Sequence, residues 1–468
     1  MSLSSNEIKN IVDKVVTHLE SDEKVSASKN ALGIFDTLDE AYSAARESQK
    51  ALKTLAMRSK AVEAIRLSVK KHAKELAELA VAETGMGRVE DKIQKKIIQA
   101  EKTPGVEDLQ PVAVTGDNGL TLIELAAWGV IASVTPSTNP GATVINNAIS
   151  MIAAGNAVIF AVHPSAKKVS QRTITLLNEA IVSVGGPEAL LTTVAEPTIE
   201  TAQQLFSYPG IDLLVVTGGG AVVEAARKVT DKRLMAAGPG NPPVIVDETA
   251  DIARAGKGIV NGASFDNNIM CTCEKEIIAV DTIADQLKAE MINNDAYELS
   301  VEQSKQIEDV VLVTLDDGRK VVNRDWIGKD AHLIAEQIGL KLPKETRLLF
   351  AETEKNHPFA TKELMMPVLP FIRVADADTA IDVAVELEKG NRHTAIMYSK
   401  NLDNLDRMAN EINCSIFVKN GPCYAGLGFG GEGWTSMTIT TPTGEGVTSA
   451  RTFVRLRRCV LVDNFRIV

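Results

Sequence analysis

The residues best placed to do chemistry are a pair of cysteines two positions apart, Cys271-Thr272-Cys273, preceded by the polar run Phe265-Asp266-Asn267-Asn268-Ile269-Met270. Polar loops between a helix and a strand are where reactive groups tend to sit. A thiol there has three possible uses. Zinc ligation needs further Cys or His at ligand spacing, and none lies nearby. The other two are structural packing and, for a thiolate, nucleophilic attack on a carbonyl. Five cysteines in 468 residues are too few and too odd a number for a disulfide framework and suit a reducing compartment. Cys414, Cys423 and Cys459 lie in apolar or motif surroundings and read as buried packing thiols, and Cys273 reads the same way.

Glycine turns form the second group. Thr217-Gly218-Gly219-Gly220 closes an apolar run at 211–216 and opens a helix at 221–229. Glycine admits a phosphate close to the backbone, and a helix N-terminus offers free N–H groups to it. The pattern is not Gly-x-Gly-x-x-Gly, so a plain tight turn accounts for it as well as a dinucleotide site does. Gly238-Pro239-Gly240-Asn241-Pro242-Pro243 is open to the same two readings.

The elements that must hold these groups alternate. Short apolar strands are expected at 130–134, 157–162, 191–194, 211–216 and 243–246, with helices at 142–154, 165–184 and 221–229. Strand, turn and helix in this rhythm make a parallel sheet covered on both faces. A second α/β unit follows, with helices at 252–262 and 283–291 and strands at 276–280, 348–351, 368–374 and 395–398. Upstream, a capping box at Thr37 and Glu40 starts a long helical region that stops at Gly85 and Gly87, and a Lys- and Ile-rich helical piece follows before Pro104. Strand-like runs at 112–115 and 120–124 flank Asp117-Asn118-Gly119 and predict a β-hairpin. The tail from Ser436 is Thr-rich and β-like. At the other end, Ile8, Ile11, Val12, Val15, Val16 and Leu19 make one apolar stripe, and residues 21–30 read as a linker. That amphipathic helix is either a first packed helix or a docking tag.

Composition narrows the class. The 50 basic and 61 acidic side chains give a formal charge of −11, and no long basic run is present, which argues against nucleic acid or an anionic membrane as partner. With 45% hydrophobic residues the chain is too apolar to be disordered, and with 4% aromatics its core rests on Ala, Val, Ile and Leu. No stretch approaches the length of a membrane span, and no secretory signal is seen.

Several motifs together resemble the aldehyde dehydrogenase superfamily. Phe265 six positions before Cys271 is similar to its nucleophile loop, and Asn268-Ile269-Met270-Cys271 with Glu274-Lys275 resembles its CoA-acylating branch. In matching order come residues 134–140 (Val-Thr-Pro-Ser-Thr-Asn-Pro), Ala154-Gly155-Asn156, His163-Pro164, the triple glycine, Gly240-Asn241-Pro242 and Glu363-Leu364-Met365-Met366-Pro367-Val368. Residues 417–422 (Phe-Val-Lys-Asn-Gly-Pro) and 441–446 (Thr-Pro-Thr-Gly-Glu-Gly) are similar to the acylating acetaldehyde dehydrogenases of ethanolamine-utilization microcompartments. The resemblance covers nearly the whole chain.

It implies an α/β aldehyde dehydrogenase fold. A Rossmann-like NAD-binding domain would span 31–111 and 125–246, an α/β catalytic domain 247–435, and a β oligomerisation arm 112–124 with 436–468. It implies Cys271 as nucleophile, with an oxyanion donor from Thr138 or Asn139 beside the Cys271 N–H. Cofactor contacts would come from Thr135, Pro136, His163, Pro164, Thr217, Gly218, Gly219, Gly220, Ala237 and Gly238, and Glu363 would hold the nicotinamide ribose. No metal is implied. Hydrolytic members carry a glutamate base where Ala236 stands, so acyl transfer to CoA is expected instead of hydrolysis. No basic residue stands at the aligned position of the adenosine-side segment 160–164, which favours NAD over NADP. The reaction implied is acetaldehyde, CoA and NAD to acetyl-CoA and NADH. A propionaldehyde-preferring acylating enzyme, a hydrolytic semialdehyde dehydrogenase and a non-catalytic cargo or scaffold protein are the alternatives. The expected setting is a homo-oligomer, dimer or tetramer, in the bacterial cytoplasm. It would sit inside a microcompartment, with residues 1–20 as an encapsulation peptide for shell or cargo proteins.

Overall fold

The computed structural model describes residues 32–467, so the apolar stripe at 8–19 and the linker at 21–30 lie outside the described residues. The first unit is a six-stranded parallel sheet. Its spatial order is Ile34–Phe35, Leu191–Val194, Ala157–Ala161, Val130–Val134, Leu213–Thr217, Leu234–Ala237. Every residue of Val130–Val134 and Ala157–Ala161 is buried, which is why these strands read as unbroken apolar runs. From Val130–Val134 the chain winds out through 157–161 and 191–194, then crosses to the other side at 213–217. The order therefore reverses between Val130–Val134 and Leu213–Thr217, and open α/β sheets bind ligands beyond the carboxyl ends of the strands at such a point. The helix Pro140–Ala153, buried along its whole length, packs between this sheet and the helices Leu55–Thr84, Val89–Lys102 and Lys167–Ser183.

The second unit is a seven-stranded parallel sheet in the order Ala296–Glu298, Leu348–Glu352, Val368–Val374, Glu276–Val280, Pro243–Val246, Thr394–Tyr398, Ile416–Lys419. This corrects the domain boundary expected at 246/247. Pro243–Val246 pairs with Glu276–Val280 on one side and Thr394–Tyr398 on the other, deep inside the second sheet. The first sheet ends with Leu234–Ala237, a strand not anticipated from sequence.

A three-stranded antiparallel sheet joins Val112–Gly116, Gly119–Ala127 and Val454–Val462. The hairpin stands as expected, but the arm does not take the whole tail from Ser436. Residues 436–438 instead run against the helix Pro140–Ala153, where their hydroxyls find amide partners, and Ile439–Thr440 pairs with Gly446–Val447 beside Leu234–Ala237. Ser436 Oγ donates to Asn146 Oδ1 at 3.3 Å and Thr438 Oγ1 to Asn147 Oδ1 at 2.9 Å. Among the described residues no helix is long and apolar enough to cross a membrane.

Candidate active site

Four loops leaving the carboxyl edge of the first sheet carry the expected cofactor residues. Thr135 and Pro136 follow Val130–Val134, His163 and Pro164 follow Ala157–Ala161, and Gly218, Gly219 and Gly220 follow Leu213–Thr217, whose last residue is Thr217. Ala237 ends the strand Leu234–Ala237, and Gly238 follows it. The site fits a dinucleotide on two counts. The helix Gly220–Val229 has no side-chain cap, and a Cβ added at Gly219 would meet open space among the described residues. Beside it, the buried Thr135 Oγ1 lacks a hydrogen-bond partner among the described residues. His163 is exposed. Its Nδ1 accepts the Ser165 N–H at 3.2 Å to cap the short turn Pro164–Ala166, and partial desolvation of the ring, then the charge of Arg324, lowers its pKa.

The nucleophile loop leaves the helix Ile252–Ala263 through three consecutive left-handed residues, Asp266, Asn267 and Asn268, with φ of 48°, 55° and 65°. For L-residues that conformation costs about 1–2 kcal/mol each, least for Asp and Asn. Side-chain bonds hold it. Asn268 Nδ2 donates to the carbonyls of Ala263 (2.7 Å) and Glu274 (2.9 Å), and its Oδ1 accepts from Lys275 Nζ at 2.5 Å. Asn267 Nδ2 donates to the Gly328 carbonyl at 2.9 Å and Asp330 Oδ1 at 2.7 Å. Cys271, half-buried, follows. Cys273 is fully buried, its Sγ 3.8 Å from the Phe265 carbonyl and packed with Cys423 in the core of the second unit. Cys414 is half-buried. Cys459, expected to be buried, is exposed, because its strand Val454–Val462 presents a solvent face.

Burial first and the Glu363 carboxylate second push the Cys271 thiol up to about 12, against the opposing Lys275 ammonium. Glu363 is itself raised by burial, against the pull of Lys275 and of the Gly240 N–H. Gly240 must be glycine here, since a Cβ would sit 2.7 Å from the Cys271 carbonyl oxygen and 3.0 Å from the His393 ring. Cys271, Glu363, Lys275 and His393 thus gather around one backbone crossing. The His393 ring is fully buried, with Nδ1 2.8 Å from the Thr394 hydroxyl and Nε2 lacking a partner among the described residues. Burial, then Lys275, brings its pKa down to about 4, so it is a neutral imidazole. Because the Glu363 charge raises the thiol, removing it lowers the thiol pKa. Glu363→Gln is expected to speed iodoacetamide alkylation of Cys271 roughly tenfold at mildly alkaline pH, the effect of about one pKa unit. The rate of alkylation against pH checks this, and an unshifted profile would show that Glu363 does not act on the thiol.

Ala236, which the resemblance sets at the place of the hydrolytic glutamate, is fully buried in the core of the first unit, and its N–H donates to Thr443 Oγ1 at 3.0 Å. Beside Met270, a cavity lined by Ile98, Phe265, Met270, Tyr424, Phe429 and Met437 leaves about 10 Å³ of free space. That is on the order of one water-sized molecule.

Sequence reasoning missed the back wall of this site. The helix Val89–Lys102 turns Asp91, Lys92, Lys95, Lys96 and Gln99 inward, while Ile93, Ile97 and Ile98 are only partly covered. The signal was present: the charges sit at the spacing where an apolar stripe belongs, and lysines are almost never buried unpaired. Lys92 and Lys95 both reach the Asp266 carboxylate, Lys92 at 3.0 Å. Lys95 also donates to Asn139 Oδ1, so the nucleophile loop and the Thr138–Asn139 loop meet on one helix.

The sequence model of the aldehyde dehydrogenase family matches residues 21–438. The chain is 64% identical over 467 residues, covering 100% of both chains, to the acetaldehyde dehydrogenase (acetylating) EutE of Escherichia coli strain K12. Its structure is similar to that of Rhodopseudomonas palustris propionaldehyde dehydrogenase with bound CoA and an acylated cysteine. That match has a TM-score of 0.90 and 45% identity and covers 93% of this chain and 100% of the other. It is also similar to a propionaldehyde dehydrogenase from the Clostridium phytofermentans fucose utilisation bacterial microcompartment. Here the TM-score is 0.91 and the identity 45%, over 93% and 100% of the two chains.

Proposed function

The chain belongs to the aldehyde dehydrogenase family, and from that premise we infer that it is a CoA-acylating acetaldehyde dehydrogenase, converting acetaldehyde, CoA and NAD to acetyl-CoA and NADH. The observation that carries the acylating choice is the alanine at 236: a sulfur nucleophile stands at 271, and the place of the hydrolytic base holds no carboxylate.

Cys271 keeps partial exposure and gives its proton to solvent as its Sγ attacks the aldehyde carbonyl. The oxygen that becomes negative is met by the Cys271 N–H and by a side chain of the Thr138–Asn139 loop, donors fixed in place before the reaction starts. Bound NAD supplies the hydride acceptor. Thr135, Pro136, His163, Pro164, Thr217, Gly218, Gly219, Gly220, Ala237 and Gly238 would form its cradle, and Glu363 would hold the nicotinamide ribose. Once the hydride has gone, Cys271 holds an acyl thioester, and the CoA thiol carries the acyl group away with Cys271 Sγ as leaving group. Acylation before CoA attack gives ping-pong kinetics.

The apolar residues Leu456, Val460 and Val462 of the arm strand are largely exposed, which supports a homo-oligomer, dimer or tetramer, built on this arm. Placement within a bacterial microcompartment in the cytoplasm, with residues 1–20 docking onto shell or cargo proteins, follows from the resemblance. The likeness to propionaldehyde dehydrogenases favours one second reading, a preference for the three-carbon aldehyde. The higher identity to the acetaldehyde enzyme, 64% against 45% to the propionaldehyde one, weighs against it. Acetaldehyde is expected to be used with a kcat/KM about tenfold above that of propionaldehyde, the usual worth of one methylene in a tight pocket. Steady-state NADH formation with each aldehyde at saturating CoA decides this, and a higher kcat/KM for propionaldehyde would select the second reading.

A further inference from the structure

The amide of Asn139 is oriented by a buried ion cluster on the helix Val89–Lys102. Asn139 stands one residue before the helix Pro140–Ala153, and its backbone carbonyl accepts the Thr143 N–H at 3.0 Å and the Thr143 hydroxyl at 2.8 Å, which fixes the main chain. The side chain is fixed separately. Lys95 Nζ donates to Asn139 Oδ1, and an ammonium has only donors, so the amide oxygen must face it and the NH2 must face away. That NH2 makes a single contact among the described residues, 3.4 Å to Thr138 Oγ1, and so keeps donor capacity to spare.

The same ammonium belongs to the nucleophile loop. Lys95 pairs with Asp266, whose carboxylate also takes the Arg88 N–H at 2.8 Å and Lys92 Nζ at 3.0 Å, while the Asp266 N–H donates to Asp91 Oδ2 at 2.9 Å. The approach is close enough to require glycine at 87, where a Cβ would lie 2.0 Å from Asp266 Oδ1. Asp91, Lys92 and Lys95 lie on one face of the helix, and with the backbone N–H of its N-cap Arg88 they grip one residue of the left-handed turn. The cluster buries its side chains almost completely, Lys95 at 4% and Asp266 at 0% exposure.

We propose that Lys95 is a positioning residue of the acyl-transfer reaction. Its ammonium, shared by Asp266 and Asn139 Oδ1, turns the Asn139 NH2 toward the substrate oxygen and locks that donor to the turn carrying Cys271. The proposal rests on the reading of this loop as the source of the side-chain oxyanion donor, and it selects Asn139 over Thr138 for that role. Lysine suits the task because a tetrahedral ammonium can serve a carboxylate and an amide oxygen at once.

A double-mutant cycle tests it, using Lys95→Met, Asn139→Ala and the pair. Each single variant is expected to lose on the order of 10²-fold in kcat, the usual cost of one oxyanion donor, and the pair to lose no more than either alone. KM for acetaldehyde and the rate of Cys271 alkylation should stay near wild type, which a merely structural defect would not allow. If Asn139→Ala is costly and folded Lys95→Met is not, the role of Lys95 is refuted while the Asn139 donor stands. If Asn139→Ala is silent, the donor reading fails and this inference with it. Losses that multiply in the pair would show Lys95 acting independently of Asn139 and would also overturn the proposal. Should Lys95→Met fail to fold, the cycle is run in an Asp266→Asn background. That substitution removes the buried carboxylate left short of a partner, and the same non-additive pattern is expected.

Discussion

Cys271→Ala abolishes NADH formation from acetaldehyde, a loss expected to reach 10⁴-fold or more on the order of other nucleophile deletions. Two features of the site put the effect at that size. Cys271 is the thiol of the nucleophile loop that keeps partial exposure; Cys273, two residues on, is fully buried with its sulfur against the Phe265 carbonyl and Cys423. No neighbouring thiol therefore inherits its role. The substitution also leaves the supporting bonds intact, since Asp266, Asn267, Asn268 and Lys275 hold the loop through their own side chains. The variant should fold and bind NAD, and mass measurement after exposure to acetaldehyde and NAD should find no acyl adduct. Turnover within tenfold of wild type would remove Cys271 from the mechanism.

What the sequence could disclose follows from where each signal is stored. Strands buried on both faces announce themselves as short β-rich runs. Residues 191–194, 276–280 and 368–374 accordingly begin and end where expected. Leu234–Ala237 escaped because Leu-Met-Ala-Ala carries no β-branched residue, and its strand character comes from pairing with Leu213–Thr217. Pro243–Val246 was legible as a strand but not as a member of the second sheet, since periodicity reports local conformation and says nothing of the neighbour. The site divides in the same way. Cys271 and Glu363 are carried by local motifs. The link from Lys95 to Asp266 and Asn139 joins three distant segments, and only the misplaced charges on one helix face hinted at it. The pKa of Cys271 is likewise a property of burial plus the approach of Glu363, and neither exists before folding.

Without CoA the enzyme is expected to release about one NADH per subunit in a burst and then stall, with steady turnover down by roughly 10²–10⁴-fold, the worth of a general base. The thioester on Cys271 can leave only by attack of water or of a thiol. Water needs a proton acceptor, and on the reading proposed above the position that supplies one in hydrolytic relatives holds Ala236, packed in the core of the first unit with its N–H donated to Thr443. Another group near the thiol is His393, which faces Gly240 but has its pKa held down to about 4. An imidazole so weakly basic takes a proton from water poorly at neutral pH. A CoA thiol asks for far less, because ordinary thiols ionise near pH 8.5, within reach of neutrality. Rapid-mixing absorbance should therefore resolve a burst stoichiometric with Cys271, and addition of CoA after the burst should restore turnover at once. Steady NADH formation without CoA, within about tenfold of the full reaction, would mean that another group activates water. Glu363, whose carboxyl is raised by burial and close enough to act on Cys271, would be the first to replace.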